Sequence, residues 1–321
     1  MSSLLLALDF GGTKLTAASA YAGEREWLAQ RRHFLPSGVD ARYEYDAMLA
    51  LAQELLAEID RLPAAIGVSF GGPAYAPEGL VRRSFHTPGW ENTPLADWLQ
   101  TEFNLPVAVD NDANAAALGE FRFGAGQGCR NLLYVTISTG IGGGWILNGR
   151  LYSGADGLAG EIGHLTVQPG GLLCPCGRQG CLEAEASGPA MANRARLYLA
   201  KKKSKSLKGK YLLDLAEGKP DKITAQLISQ AATAGDKLSQ KVLLDAAEKL
   251  GLGLAGAINL MNPERVILGG GVTKSGELWW QEVKATARAY TQPELTVDIT
   301  PALLGDDAPL WGAIALAETL M

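Results

Sequence analysis

The sequence predicts an α/β protein built from two lobes. Three observations carry this: the length of 321 residues exceeds what one core usually holds, apolar strand-like runs alternate with helical stretches, and each half opens on a strand, a glycine turn and a second strand. Apolar residues make up 47% of the chain and charged residues 20%, a globular balance that excludes global disorder. The 39 glycines are the outlier, roughly 12% against an average of about 7%, and predict many positions that need positive φ or close approach to a ligand. Against 34 acidic residues stand 29 basic ones, and a net charge of -5 has the wrong sign for a dedicated nucleic-acid or anionic-membrane binder. Met1 to Asp9 lacks a basic leader, its apolar run Leu4 to Leu8 is too short for a signal peptide, and a cytoplasmic location is expected.

The continuous apolar run Leu4 to Leu8 suits a buried strand; it breaks at Gly11-Gly12, and Leu15 to Ala20 resume as a second strand. Trp27 to Leu35 reads as a third. From Asp40, a candidate N-cap, to Leu62, the residues Tyr45, Met48, Leu49, Ala52, Leu55, Leu56 and Ile59 recur at helical spacing. Short strands at Ala64 to Ser69 and Val107 to Val109 alternate with helices at Pro94 to Phe103 and Asp112 to Phe123. The second half restarts with Leu132 to Ile137, a glycine turn Gly140 to Gly144 and a return strand Trp145 to Leu147. The longest uncharged stretch, Asn131 to Gly149, is this strand-turn-strand unit rather than a membrane span. Helices are expected at Glu183 to Ala200, Ile223 to Ala234 and Asp236 to Met261, a strand at Arg265 to Leu268 running into Gly269-Gly270-Gly271, and an amphipathic helix at Leu310 to Leu320. The lysine-rich patch Lys201, Lys202, Lys203, Lys205, Lys208 and Lys210 reads as a solvated helix end or loop, since no aromatic residues interleave as a nucleic-acid groove would require.

No Gly-x-x-x-x-Gly-Lys-Ser/Thr loop is present, which excludes Walker-type nucleotide binding. Gly251, Gly253 and Gly256 match a dinucleotide fingerprint, but they continue a helical pattern and read as close helix packing. Asp9-Phe10-Gly11-Gly12-Thr13-Lys14 is more informative: two glycines after a strand expose backbone N–H groups to a phosphate, while Asp9 can hold a hydrated Mg2+. Ser138-Thr139-Gly140-Ile141-Gly142-Gly143-Gly144 has the same anion-cradling character with hydroxyl donors added, and the two turns together point to a nucleoside triphosphate. Asp110-Asn111-Asp112 follows the strand Val107 to Val109, at a strand's carboxyl end where α/β ligands collect. Asp112 is either a helix cap or a general base taking a hydroxyl proton during phosphoryl transfer, with Asn111 orienting the same substrate. Glu161 and His164, three apart, could face one sugar from a helical turn.

His164, Cys174, Cys176 and Cys181 offer one imidazole and three thiolates, a tetrahedral zinc set, with Gly177 and Gly180 supplying turns between ligands. Cys174-Pro175-Cys176 lacks the Cys-x-x-Cys spacing of thiol oxidoreductases, which disfavours a redox pair; Cys129 reads as a buried thiol.

Taken in order, these motifs, with Gly180-Cys181-Leu182-Glu183 and Leu268-Gly269-Gly270-Gly271, resemble those of the ROK sugar kinases (repressors, open reading frames, kinases) over essentially the whole chain. The resemblance implies the actin-like ATPase (ribonuclease H-like) two-lobe fold with a central cleft: lobes at 1–123, joined by the C-terminal helix 308–321, and 124–307, which carries the zinc loop 164–183. It implies ATP and Mg2+ between the lobes, a structural Zn2+, and a homodimer. Asp112 matches the catalytic base, and Asn111, Glu161, His164 and Glu183 match sugar-hydroxyl ligands, His164 using one ring nitrogen for zinc and the other for the sugar. Gly11, Gly12, Thr13, Lys14, Thr139, Gly140, Gly142 and Gly143 match the phosphate turns, and Gly270 the adenosine region. Gly71-Gly72-Pro73 and Pro88-Gly89-Trp90 resemble segments near the sugar, where His86 stands in place of an asparagine common in relatives. The expected reaction is ATP-dependent phosphorylation of a hexose, glucose to glucose 6-phosphate first, with fructose or an N-acetylhexosamine (N-acetylmannosamine or N-acetylglucosamine) as the alternative acceptor. A non-catalytic sugar-sensing protein is the rival of another class; the DNA-binding repressors of the family are set aside because Asp9 stands so near the start.

Overall fold

The computed structural model describes residues 2–59, 61–200 and 209–321, so all of the lysine-rich patch except Lys210 lies outside the described residues. Strands β1 (Leu4–Phe10), β2 (Lys14–Tyr21) and β3 (Ala29–Phe34) form an antiparallel meander. Helix α1 (Ala41–Ile59) leads to β4 (Ala65–Phe70), parallel to β1, and the hairpin β5 (Ala74–Tyr75) and β6 (Leu80–Val81) with α2 (Leu95–Phe103) leads to β7 (Val107–Asn111), parallel to β4. The sheet order is β3-β2-β1-β4-β7. Leu4 to Leu8 are almost wholly buried, as a strand covered on both faces requires. Asp40 caps α1 by accepting the Tyr43 N–H at 2.9 Å.

Beyond α3 (Asp112–Phe123) come β8 (Leu132–Ile137), β9 (Ile141–Leu147) and β10 (Arg150–Tyr152), then α4 (Leu182–Ala186), α5 (Gly188–Ala200), α6 (Lys210–Leu215), α7 (Ala225–Thr233) and α8 (Lys237–Met261). Strand β11 (Arg265–Gly269), α9 (Glu277–Tyr290), β12 (Asp298–Pro301) and α10 (Ala308–Glu318) complete the chain. The second sheet has the order β10-β9-β8-β11-β12, the same third-second-first-fourth-fifth connectivity as the first. The strand-turn-strand repeat is therefore a repeat of topology, carried by pattern with little shared sequence.

The chain divides into two compact units, Met1–Tyr134 with Gly144–Gly160 and Ala302–Met321, and Val135–Gly143 with Glu161–Pro301. These limits differ from the lobes 1–123 and 124–307, for two physical reasons. A Cβ on Gly144 would lie 2.7 Å from Ala117 Cβ and 2.8 Å from Ala113 O, so the strand after the turn packs directly on α3. The fully buried Glu120 carboxylate accepts the N–H groups of Ala125, Leu303 and Leu304 at 2.7, 3.2 and 2.8 Å, which ties the start of the C-terminal segment to the end of α3.

Four expectations need correction. Residues 183–200 are two helices, broken at Ser187, whose backbone is extended. The second glycine turn is shorter than Gly140 to Gly144: β9 begins at Ile141, and Gly142, Gly143 and Gly144 lie within it, because α3 approaches too closely for side chains at Gly144. Helix α10 is not amphipathic. Ala308 and every residue from Leu310 to Ala317 are buried, because the helix is packed between α3 and the first sheet, and Trp311 stacks on Trp27 at 3.7 Å. Cys129 is half-buried rather than buried. Gly251 and Gly253 do serve close packing: Cβ atoms there would lie 2.6 Å from Thr286 Cβ and 2.8 Å from Leu182 Cδ2. A tighter approach between elements is at Gly67, where a Cβ would lie 1.7 Å from Ala313 O of α10. Gly67→Ala should therefore destabilise the fold by about 1–3 kcal/mol or more, read as a lower urea midpoint at unchanged m.

Candidate active site and metal centre

In the first compact unit, the carboxyl ends of β1, β4 and β7 lie side by side, pairing Phe10 with Phe70 and Phe70 with Asn111. This register brings together Asp9, Gly11, Gly12, Thr13, Lys14, Gly72, Asn111 and Asp112. The Gly11 N–H is spent inside the turn on Lys14 O at 3.1 Å, and among the described residues the N–H groups of Gly12 and Thr13 meet no protein acceptor. Neither glycine has positive φ; what Gly12 requires is close approach, since a Cβ there would lie 2.4 Å from His86 Cδ2. The exposed His86 ring thus rests on the first glycine turn. Gly72 is confined likewise, with Arg83 O 2.5 Å from where its Cβ would stand.

Asn111, not Asp112, caps α3: its Oδ1 accepts the N–H groups of Ala113 and Asn114 at 2.9 and 3.4 Å, and its Nδ2 donates to Gly72 O at 3.1 Å. One amide hydrogen remains for a substrate. Asp112 is the first helical residue, half-buried, with its Oδ1 on the Ala113 N–H at 2.8 Å. Asp9 keeps some exposed surface, yet its carboxyl is deep enough that desolvation pushes it up to about 6. The Ser69 hydroxyl, donating to Oδ1 at 2.8 Å, and Lys14 oppose this rise, while the Asp112 charge adds to it, which marks the two acids as neighbours. A carboxylate so placed fits a cation such as Mg2+, which would relieve both burial and repulsion.

Asp110 is buried one residue before the cap, and desolvation pushes it up to about 6 despite hydrogen bonds from Asn114 Nδ2 at 2.9 Å and the Asn111 N–H at 2.7 Å. Its folded pKa stands above the unfolded 3.8, so the native state holds the extra proton. The resulting stabilisation is full below about pH 4 and lost as pH rises through about 6, on the order of 3 kcal/mol for a shift of about two units. Asp9 titrates over the same window. In Asp110→Asn the loss of unfolding free energy as pH rises from 4 to 6 should become smaller, measured by urea titration across that range.

In the second unit, Ser138-Thr139-Gly140 makes the turn, closed by Ser138 N–H on Gly140 O at 2.9 Å. Thr139 is exposed. Glu183, at the start of α4, accepts the Ile141 N–H through Oε2 at 3.0 Å, and a Cβ on Gly140 would lie 2.6 Å from the same oxygen. Gly270 follows β11 directly with φ 85°, and its Cβ would lie 2.4 Å from Ile137 O, so glycine is required twice over. Residues 162–164 form one 3-10 turn, which eclipses positions three apart and sets Glu161 Oε2 3.7 Å from His164 Nε2.

The other His164 nitrogen, Nδ1, lies 3.7 Å from Cys174 Sγ, and Cys176 Sγ lies 3.6 Å from Cys181 Sγ; all four ligand atoms fall within 4.8 Å of one another. A tetrahedral zinc sets its sulfur and nitrogen ligands about 3.5–3.8 Å apart, so the four residues fit that ion. The loop keeps the cysteines close: Cys174 N–H donates to Arg178 O at 2.8 Å, Gly177 N–H to Cys174 O at 2.9 Å, and Gly177 has φ 86°. Burial pushes the Cys174 thiol up to about 12, while the Arg178 backbone N–H brings Cys176 down. Buried thiols of this kind ionise only beside a cation.

Sequence reasoning passed over Ser69, Asp110 as a buried acid, and Glu44. Ser69 carries no local signal and is found only through the β1–β4 register.

The ROK family matches residues 5–320. A glucokinase from Halalkalibacterium halodurans is 39% identical over 252 residues, 77% of this chain and 74% of that protein. A ROK family glucokinase from Streptomyces griseus, solved in complex with glucose and AMPPNP, shares 34% identity at TM-score 0.83, covering 98% of this chain and 99% of that one. A ROK hexokinase from Thermus thermophilus shares 33% identity at TM-score 0.84, covering 99% and 98%. The α/β architecture is thus the actin-like ATPase fold that the motifs imply.

Proposed function

We propose, from the premise that this chain belongs to the ROK family, that it transfers the γ-phosphoryl group of ATP to a hexose hydroxyl, with glucose as the first acceptor and glucose 6-phosphate as product. The observation that carries this reading is Asp112, held at the first turn of α3 and close enough to Asp9 and the first glycine turn to raise the Asp9 carboxyl. Asp112 takes the proton of the sugar hydroxyl as its oxygen attacks the γ-phosphorus; the bond to the bridging oxygen breaks and ADP leaves with that electron pair. Asp9 would hold Mg2+, which when bound would neutralise charge on the phosphates. Gly11, Gly12, Thr13 and Lys14 of the first unit, and Thr139, Gly140, Gly142, Gly143 and Gly270 of the second, serve the nucleotide. Gly72, His86, Asn111, Glu161, His164 and Glu183 serve the hexose. His164 Nδ1, Cys174, Cys176 and Cys181 would hold zinc, which would fix the His164 tautomer, and Nε2 beside Glu161 is then left for a sugar hydroxyl.

The acceptor is tested by coupled ADP release over glucose, fructose, mannose, allose, N-acetylglucosamine and N-acetylmannosamine. The highest kcat/KM is expected for glucose; a higher value for fructose or an N-acetylhexosamine replaces glucose, and ADP release with none of them replaces catalysis by sugar sensing. His86 makes this panel necessary, because hexoses differ by single hydroxyls and a site group opposite one of them decides between them. A cytoplasmic homodimer is the accompanying reading, checked by light scattering; among the described residues no helix is long and apolar enough to cross a membrane.

A further inference from the structure

Glu44 lies on α1, a helix that contributes no residue to the proposed site, yet its carboxylate is buried at 4% exposure. Both oxygens are committed to one loop. Oε1 accepts the Thr87 hydroxyl at 2.5 Å and Oε2 accepts the indole N–H of Trp90 at 2.6 Å. The Ala41 N–H adds a third tie by donating to Pro88 O at 2.9 Å, and Gly89 passes Ala41 so closely that a Cβ on it would lie 3.2 Å from the alanine Cβ. Trp90 is fully buried and meets Phe10 and Phe70 edge-on at 5.6 and 5.1 Å, the residues that immediately precede Gly11-Gly12 and Gly71-Gly72. The same loop lays His86 against Gly12 and Arg83 O against Gly72. The Thr87 N–H is held within the loop by Ser84 Oγ at 3.1 Å, but among the described residues the Thr87 hydroxyl and the Trp90 indole meet no acceptor other than Glu44, so this carboxylate is what ties both side chains to α1.

We infer that Glu44 is a positioning residue for hexose selection, clamping residues 84–90 through Thr87 and Trp90 so that His86 is held over the first glycine turn. This rests on the proposed hexose role of His86. Without the carboxylate, two buried donors lose their acceptor and the loop gains freedom where the sugar is recognised, while the phosphate turns keep their own strand-end supports. Glutamine preserves the clamp, since its Oε1 accepts from Trp90 and its Nε2 donates to a Thr87 hydroxyl turned to accept.

The test is steady-state kinetics of the zinc-loaded full chain for Glu44→Ala, Glu44→Gln, Thr87→Val, His86→Ala and the Glu44→Ala/His86→Ala double variant. Glu44→Ala should raise the KM of the preferred hexose roughly tenfold with kcat and ATP KM within about twofold of wild type, and Glu44→Gln should restore it. Thr87→Val, which removes one donor and keeps the Trp90 bond, should give a smaller rise of the same kind and carries the test if Glu44→Ala does not fold. In the His86→Ala background, Glu44→Ala should change hexose KM no further, because the clamp acts through that ring. Additive effects, or hexose KM, ATP KM and kcat worsening together, overturn the clamp while leaving His86 in place. An unchanged hexose KM in His86→Ala removes the role of His86 itself, and the inference with it.

Discussion

Asp112→Asn should lower hexose-dependent ADP release by about 10²–10⁴-fold, the range expected when a general base is lost, while the chain stays folded. The retained fold follows from the division of labour at the start of α3. Asn111 caps the helix through its Oδ1 and also holds Gly72, so the cap keeps its main acceptor when Asp112 is changed. An asparagine side chain keeps an oxygen for the Ala113 N–H that Asp112 accepts at 2.8 Å. Removing the negative charge also relieves Asp9, whose carboxyl the Asp112 charge helps to raise, so nucleotide binding should survive or tighten. The checks are the coupled assay, the thermal unfolding curve and calorimetric titration with glucose and with Mg-ATP. Near-normal turnover with glucose would remove Asp112 from its assigned role.

Cys176→Ser should lose zinc and raise the hexose KM by about 10–100-fold, the usual cost of losing support for a ligand-orienting group. Cys176 is the ligand to change, because Cys174 and Cys181 are buried and Cys176 is exposed. Its loss removes an ion ligand without opening a cavity. His164 then loses the partner of its Nδ1, and the ring no longer presents Nε2 beside Glu161 in a single tautomer. Zinc per chain is measured by a colorimetric chelator after denaturation, beside the hexose and ATP KM values. A variant that retains one zinc per chain shows that Cys176 is not a ligand, and an unchanged hexose KM in zinc-free protein separates the metal from sugar binding.

The local signals in the sequence were sound where chemistry is local. Asp40 caps α1 as its side chain suggests, and α3 and β8 run between the residues that the sequence selects. Cys174, Cys176, Cys181 and His164 could be read as ligands because turn glycines and short spacing make their convergence nearly unavoidable. What failed was whatever another element decides. The apolar run of α10 reads as one face of a surface helix, but it is buried all round because α3 and the first sheet both cover it. Gly142 and Gly143 read as turn residues, but pairing extends β9 back to Ile141.

The sequence by itself determined the two glycine turns, the helix led by Asp112, the four candidate zinc ligands and the family, since each is written in residue types a few positions apart. Only the tertiary structure decided that Ser69 meets Asp9 through the pairing of β1 with β4, that Asn111 rather than Asp112 caps α3, and that Glu44 reaches Thr87 and Trp90. The physical reason is that hydrogen bonds and desolvation act over a few ångströms of space. Which side chains come within that distance across 43 or 60 positions of chain is set by sheet register and helix packing, and no local pattern encodes them.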